Sequence, residues 1–212
     1  MIRNRMHLAF ALVAASTLLR PAPAVAQSGP EQTQKFLKTV ESTVKAIGES
    51  RMQLQKAVGT YNSIIEVTAK DLKSAYTDLG REITESEKKV AAGRPKVEEM
   101  NTAAAGYFAA RNAALQAITD PDLRKRSEER LNATYAQFEK ISTAGKDTRQ
   151  SFDTLMTDAK NQFTFLGHDL NASAIASLKP DAAKFNGRAA TVFAKVDGVT
   201  RMFDEYIASM RP

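Results

Sequence analysis

The sequence predicts an all-α protein, an antiparallel bundle of about four helices built around one long coiled-coil hairpin. Three observations carry that prediction. First, apolar or small residues recur by threes and fours through Leu72, Leu79, Ile83, Ser86, Val90, Gly93, Val97, Met100, Ala104 and Tyr107. A second such run goes from Leu123 through Ser127, Leu131, Phe138, Ile141, Gly145, Phe152 and Leu155 to Leu166. Both keep one apolar seam over many helical turns. Second, Thr119-Asp120-Pro121-Asp122 separates the two runs. Asp120 suits an N-cap, Pro121 the first helical position and Asp122 the positive end of the helix dipole, so the hairpin turns there. Third, aromatics make up only 7% of the chain and Trp is absent. Long helices sharing thin seams fit that mixture better than an enzyme with a thick core.

Taken in order, residues 1–26 have the form of a secretory signal. Arg3 and Arg5 precede the apolar run Leu8 to Leu19, and Ala24-Val25-Ala26 is a small-x-small cleavage site. The apolar run is shorter than the roughly 20 residues of a spanning helix, so cleavage after Ala26 is expected rather than retention as an anchor. Export would deliver the chain to the periplasm or beyond the cell, where ATP is not available. Residues 27–212 then form a single helical coiled-coil domain.

The first helix starts at Glu31 and carries Phe36, Val40, Val44, Ile47, Leu54, Val58, Tyr61 and Ile65 on one seam. The pattern breaks at Glu66-Val67-Thr68, with Thr68 as an N-cap, or else the first helix bends into the second. The second helix spans about Ala69 to Ile118. Pro95 lies inside it, and an interior proline removes one hydrogen bond and crowds the preceding turn, so a kink or short break is expected. From Ala103 to Ala114 the seam becomes small, which predicts the closest helix packing at this end. The third helix opens on the densest charge run, Arg124 to Arg130. That run is a solvated face with pairs such as Arg124 to Glu128, or a docking tip. Gly167 or Asn171 ends the third helix, and Asn171 or Ser173 caps a short helix over 171–178. Lys179-Pro180-Asp181 closes that helix and starts a last one, striped by Phe185, Ala189, Val192, Val196, Val199, Phe203, Tyr206 and Ile207.

Three blocks, DLKSAYTDLGREITESEKKV at 71–90, DPDLRKRSEERLNATYAQFEKI at 120–141 and LGHDLNASAIASL at 166–178, resemble the bacterial domain-of-unknown-function 2959 family. The resemblance implies an exported, helical, coiled-coil-rich protein. It assigns no activity and no catalytic residue. The DNA-repair ATPase label that some members carry does not transfer, because the chain has no GxxxxGK phosphate loop.

The chemistry available in the sequence is narrow. With no Cys, thiol nucleophiles, thiolate metal sites and disulfides are excluded. The formal charge is +6; without Arg3, Arg5 and Arg20 the remaining 27 basic residues face 24 acidic ones, leaving +3. Interspersed charge of that size argues against a nucleic-acid stripe. His168 is the sole histidine outside the signal, and beside Asp169 it lacks a nucleophile, a second His or further ligands. Its bland role is a ring hydrogen-bonded at a helix end. The expected function is therefore a non-enzymatic periplasmic scaffold or adaptor that binds a protein partner or itself, with no cofactor, metal or small-molecule substrate. The alternative is a helical protein binding an anionic membrane surface. Candidate docking residues are Arg124, Arg126, Arg130, His168, Asp169 and Asn171.

Overall fold

The computed structural model describes residues 29–67 and 70–211. The expected signal over 1–26 and the expected cap at Thr68 lie outside those residues. Four helices follow one another: α1 (Gly29–Ile65), α2 (Leu72–Leu115), α3 (Pro121–His168) and α4 (Ala172–Met210). Each helix packs on its neighbour in the chain and α4 closes back onto α1, while α1 and α3, and α2 and α4, sit across the diagonals. This is an up-down-up-down bundle, and the predicted all-α antiparallel fold is the fold observed. The most intimate backbone pairing is α1 with α2, not the α2–α3 hairpin on which the sequence pattern centres.

Local chemistry explains where the helices begin and end. Asp71, rather than a residue near Thr68, caps α2: its Oδ1 accepts from the backbone N–H of Lys73 at 2.9 Å and Ser74 at 3.1 Å. Asp120 caps α3 as predicted, accepting from Asp122 and Leu123, both at 2.9 Å. Asn171 caps α4 in the same way through Ser173 and Ala174. These bonds satisfy donors that a helix start leaves free. Helix α2 ends at Leu115, earlier than predicted, and tightens into bonds from Gln116, Ala117 and Ile118 to carbonyls three residues back. After α1, Val67 takes a φ of 53°, the left-handed slot that usually holds glycine.

Both interior prolines are absorbed. Helix α2 continues through Pro95. The separate short helix expected over 171–178 is instead the opening of α4, which runs through Lys179-Pro180-Asp181 without a break. Pro95 and Pro180 are exposed, and the carbonyls that lose a partner belong to the exposed Ala91 and Ala176. Buried Leu178, Ala182 and Phe185 anchor α4 on both sides of Pro180, so packing outweighs the lost hydrogen bond.

The interior consists of two cores. One, in the half containing the α1–α2 and α3–α4 connections, is largely aliphatic and includes Leu54, Ile64, Leu79, Leu155, Leu166 and Ile175. The other, in the half containing the α2–α3 turn, is built from Phe36, Tyr107, Phe138 and Tyr206 with Val40, Met100 and Ile141. The predicted close-packed small seam is not what holds this second half. Ala105, Gly106, Ala109, Ala113 and Ala114 face solvent and only Ala104 is buried. Aromatic rings fill the space between helices there, with Phe36 5.1 Å from Tyr107 and 5.8 Å from Phe138.

Candidate functional site

Helix α3 has 48 residues and α4 has 39, and the difference is spent at one end. The first buried residue of α3 is Phe138, whose ring lies 6.1 Å from Tyr206 near the end of α4. At the start of α1, the Arg111 guanidinium lies against Gly29, donates to the Thr33 hydroxyl at 3.4 Å and rests on the Tyr107 ring. Beyond that level the last turn of α2 and the first turns of α3 continue as a two-helix tip past the described ends of α1 and α4. Leu115, Ile118, Ser127, Leu131 and Thr134 line the groove where this tip meets Met210.

The tip carries the candidates Arg124, Arg126 and Arg130. Arg126 and Arg130 are exposed and share one face of α3 with Leu123, Glu129 and Ala133; Arg124 is half-buried. The expected Arg124–Glu128 pair does not form. Among the described residues no ion pair involves Arg124, Lys125, Arg126, Glu128, Glu129 or Arg130; all twelve ion pairs lie on other parts of the bundle. The sole bond from these six side chains is Arg126 Nε to the Asp122 carbonyl at 3.4 Å. Leu123 is 50% exposed and Tyr135, one turn below Leu131 and stacked edge-on to Phe108, is 49% exposed. The half-open Leu123 and Tyr135 were legible in the sequence only as seam members or neighbours, because a periodic pattern does not say where the partner helices stop.

The second set of candidates lies at the opposite end. Forty-two positions separate Arg126 from His168, roughly 60 Å along α3. The two sets are therefore not one site. His168 is exposed in the last turn of α3 and its ring has no hydrogen bond, so the expected helix-end bond is absent. Asp169 does not orient it either: its carboxylate accepts from Asn171 Nδ2. The Asn171 Oδ1 is committed to the α4 cap. Among the described residues no group of three or more His, Asp and Glu side chains is placed to hold a metal ion, and no helix is long and apolar enough to cross a membrane.

A family model described as protein of unknown function (DUF2959) matches residues 23–210, and the chain belongs to that family. The comparisons match no curated protein and no solved structure.

Proposed function

We propose that this member of the DUF2959 family is a non-enzymatic scaffold or adaptor of the bacterial periplasm, docking a protein partner through the α2–α3 tip. One observation carries the reading: the densest charge run in the chain projects from the bundle with no ion pair of its own, next to half-exposed Leu123. Arginine and tyrosine beside an apolar anchor are the side chains that dominate protein interfaces. Unpaired charges at the end of a rigid stalk cost little to present and select a partner of complementary pattern.

A membrane surface is the weaker occupant. Residues 111–130 hold five basic and four acidic side chains, one net positive charge. Attraction to anionic lipid grows by about 1 kcal/mol per basic residue near the surface, and interleaved acids cancel it. The exposed, unbonded His168 supplies neither a base-and-orienter pair nor a metal ligand set, which favours a binding role. The periplasmic part of the proposal rests on the signal-like residues 1–26.

The test is a photoreactive residue at position 126 in intact cells, with a control at exposed Thr191 on α4. A discrete protein adduct at 126, absent at 191 and lost when Arg124 and Arg130 are changed to Glu, is the expected result. Adducts to lipid alone, or the same adduct from both positions, would overturn it.

A further inference from the structure

We infer that the waist of the bundle is a binding site for a single amphiphile with an alkyl chain and an anionic head group. Between the two cores the four helices line a cavity of about 430 Å³ that is open on one side. That is within the range of roughly 300–1,000 Å³ typical of ligand pockets. Small residues from three helices line the cavity: Ala46 on α1, Gly93 on α2, where a Cβ would stand 3.8 Å from Ala46, and Ser142 and Gly145 on α3. A Cβ added at Gly145 would meet no atom within 4 Å, so this glycine does not serve a close approach. Helix interiors disfavour glycine by about 1 kcal/mol relative to alanine, and here the sequence accepts that cost while leaving a void.

The walls select an apolar occupant. Leu54, Met100, Ile141, Phe152 and Phe203 line the interior. Three of the four lining hydroxyls are already committed to backbone carbonyls, and the fourth, Ser142, makes no hydrogen bond among the described residues. Thr43 donates to Thr39 and Lys96, Ser50 to Ala46, and Thr148 to Ala144, at 2.8–3.0 Å. The wall is therefore mostly methyl and methylene groups, and a water there would find the Ser142 hydroxyl but not the two to four polar partners that hold a buried water. An alkyl chain restores the dispersion contacts that the void forfeits.

The mouth selects the head group. The exposed lining residues are Arg94, Val97, Glu98 and Asn101 on α2 and Lys146 on α3, so the cavity opens between these two helices. Two further cations reach the lining but are neutralised: Asp197 grips Arg51 at 2.6 and 3.0 Å, and Asp153 holds Arg149 at 2.9 and 3.0 Å. Among the described residues Arg94 and Lys146 make no ion pair, one from each side of the opening; Glu98 is likewise unpaired. The free charge at the mouth is therefore net positive by one. Half-exposed Val97, 39% accessible, continues the apolar wall out to that rim. A carboxylate or phosphate held between Arg94 and Lys146, with its chain directed inward, satisfies both regions.

Calorimetric titration of the purified chain with dodecanoate below its micelle concentration is the test. One saturable site is expected, with dodecyltrimethylammonium binding at least tenfold more weakly. Dodecyl phosphate separates a phospholipid-type head from a carboxylate, and saturable binding of either anion supports the site. Gly145→Leu fills the cavity and should reduce dodecanoate affinity more than tenfold while the helical melting profile is kept. Ser142→Leu, one turn away, places the same volume in the cavity should the first variant fail to fold. Arg94→Glu with Lys146→Glu should reverse the head-group preference. No saturable binding of either anion, unchanged affinity in the filled variant, or equal binding of the cationic amphiphile would overturn the inference.

Discussion

The same four helices pass through both cores, yet the two are filled by different means. In the half distant from the tip, branched side chains such as Ile64, Leu155 and Ile175 interlock around two separate ring pairs, Tyr61 with Phe185 at 4.8 Å and Tyr76 with Phe163 at 4.4 Å. In the tip half, Phe36 sits among four rings: Tyr107, Phe108, Phe138 and Tyr206. Branched aliphatics define register, since each fits one gap between turns. Rings cover more area and tolerate several tilts; here their planes meet at 24° to 79°. The difference teaches a division of labour: interlocking aliphatics set the alignment, and a ring cluster braces the end from which the two-helix tip projects.

The largest effects should come from emptying each core. Phe36→Ala and Leu155→Ala, at residues 1% and 0% exposed, should each cost about 3–5 kcal/mol. Because every helix crosses the waist, urea unfolding followed by circular dichroism should remain a single transition with a lowered midpoint in both variants. Two separated transitions in Phe36→Ala alone would show that the waist divides the molecule into independent units, and the shared-alignment account would fall.

A finer contrast uses one tyrosine from each core. The Tyr61 hydroxyl donates to Gln162, whereas the fully buried Tyr206 hydroxyl has no hydrogen-bond partner. Tyr61→Phe strands Gln162 and should cost about 1 kcal/mol, while Tyr206→Phe removes an orphaned polar group and should gain about 1 kcal/mol. Burial pushes both hydroxyls well above the usual tyrosine value of 10.0. A raised acid contributes stability that is fully present below the unfolded value and lost as pH rises above it. Wild-type stability should therefore decline above about pH 10, and the decline should be shallower in Tyr206→Phe. Denaturant midpoints at neutral and alkaline pH read both effects, and a destabilised Tyr206→Phe would mean that the hydroxyl is satisfied.

Much of this architecture was legible because it depends on local or periodic information. The seams of α1 and α4, the hairpin turn and the caps at Asp120 and Asn171 follow from spacing and from side chains that bond the next two or three residues. Val67 was not legible, since a β-branched residue is a poor guide to a left-handed backbone. Pro180 read as a stop because proline's local cost is visible in sequence and the anchoring by Leu178 and Phe185 is not. Seam glycines pose the same difficulty. Gly93 and Gly145 read only as small members of an apolar seam, and the open space beside Gly145 in the lining of the cavity is visible only in the packed bundle. At the candidate sites, exposure of the arginine run was predictable; the absence of its ion pairs, and the diversion of Asp169 from His168 to Asn171, depend on competing partners.

The glycines supply the sharpest contrast, since one substitution should act differently at two places along the bundle. Gly80 lies under Phe163, whose ring stacks on Tyr76 at 4.4 Å with planes 4° apart. A Cβ at Gly80 would stand 2.7 Å from Phe163 Cζ, so the ring must move and the stack must open. Overpacking of this kind costs about 1–3 kcal/mol, and the better helix propensity of alanine returns about 1 kcal/mol. Gly80→Ala should therefore be neutral to about 2 kcal/mol less stable. Gly145→Ala meets no neighbour and should gain about 0.5–1 kcal/mol. Thermal melts of the two variants measured together decide the matter. A stabilised Gly80→Ala would mean that Phe163 yields freely and that the aliphatic half is looser than its interlocked side chains imply. A destabilised Gly145→Ala would mean that the waist closes on itself, which would remove the room for any ligand there.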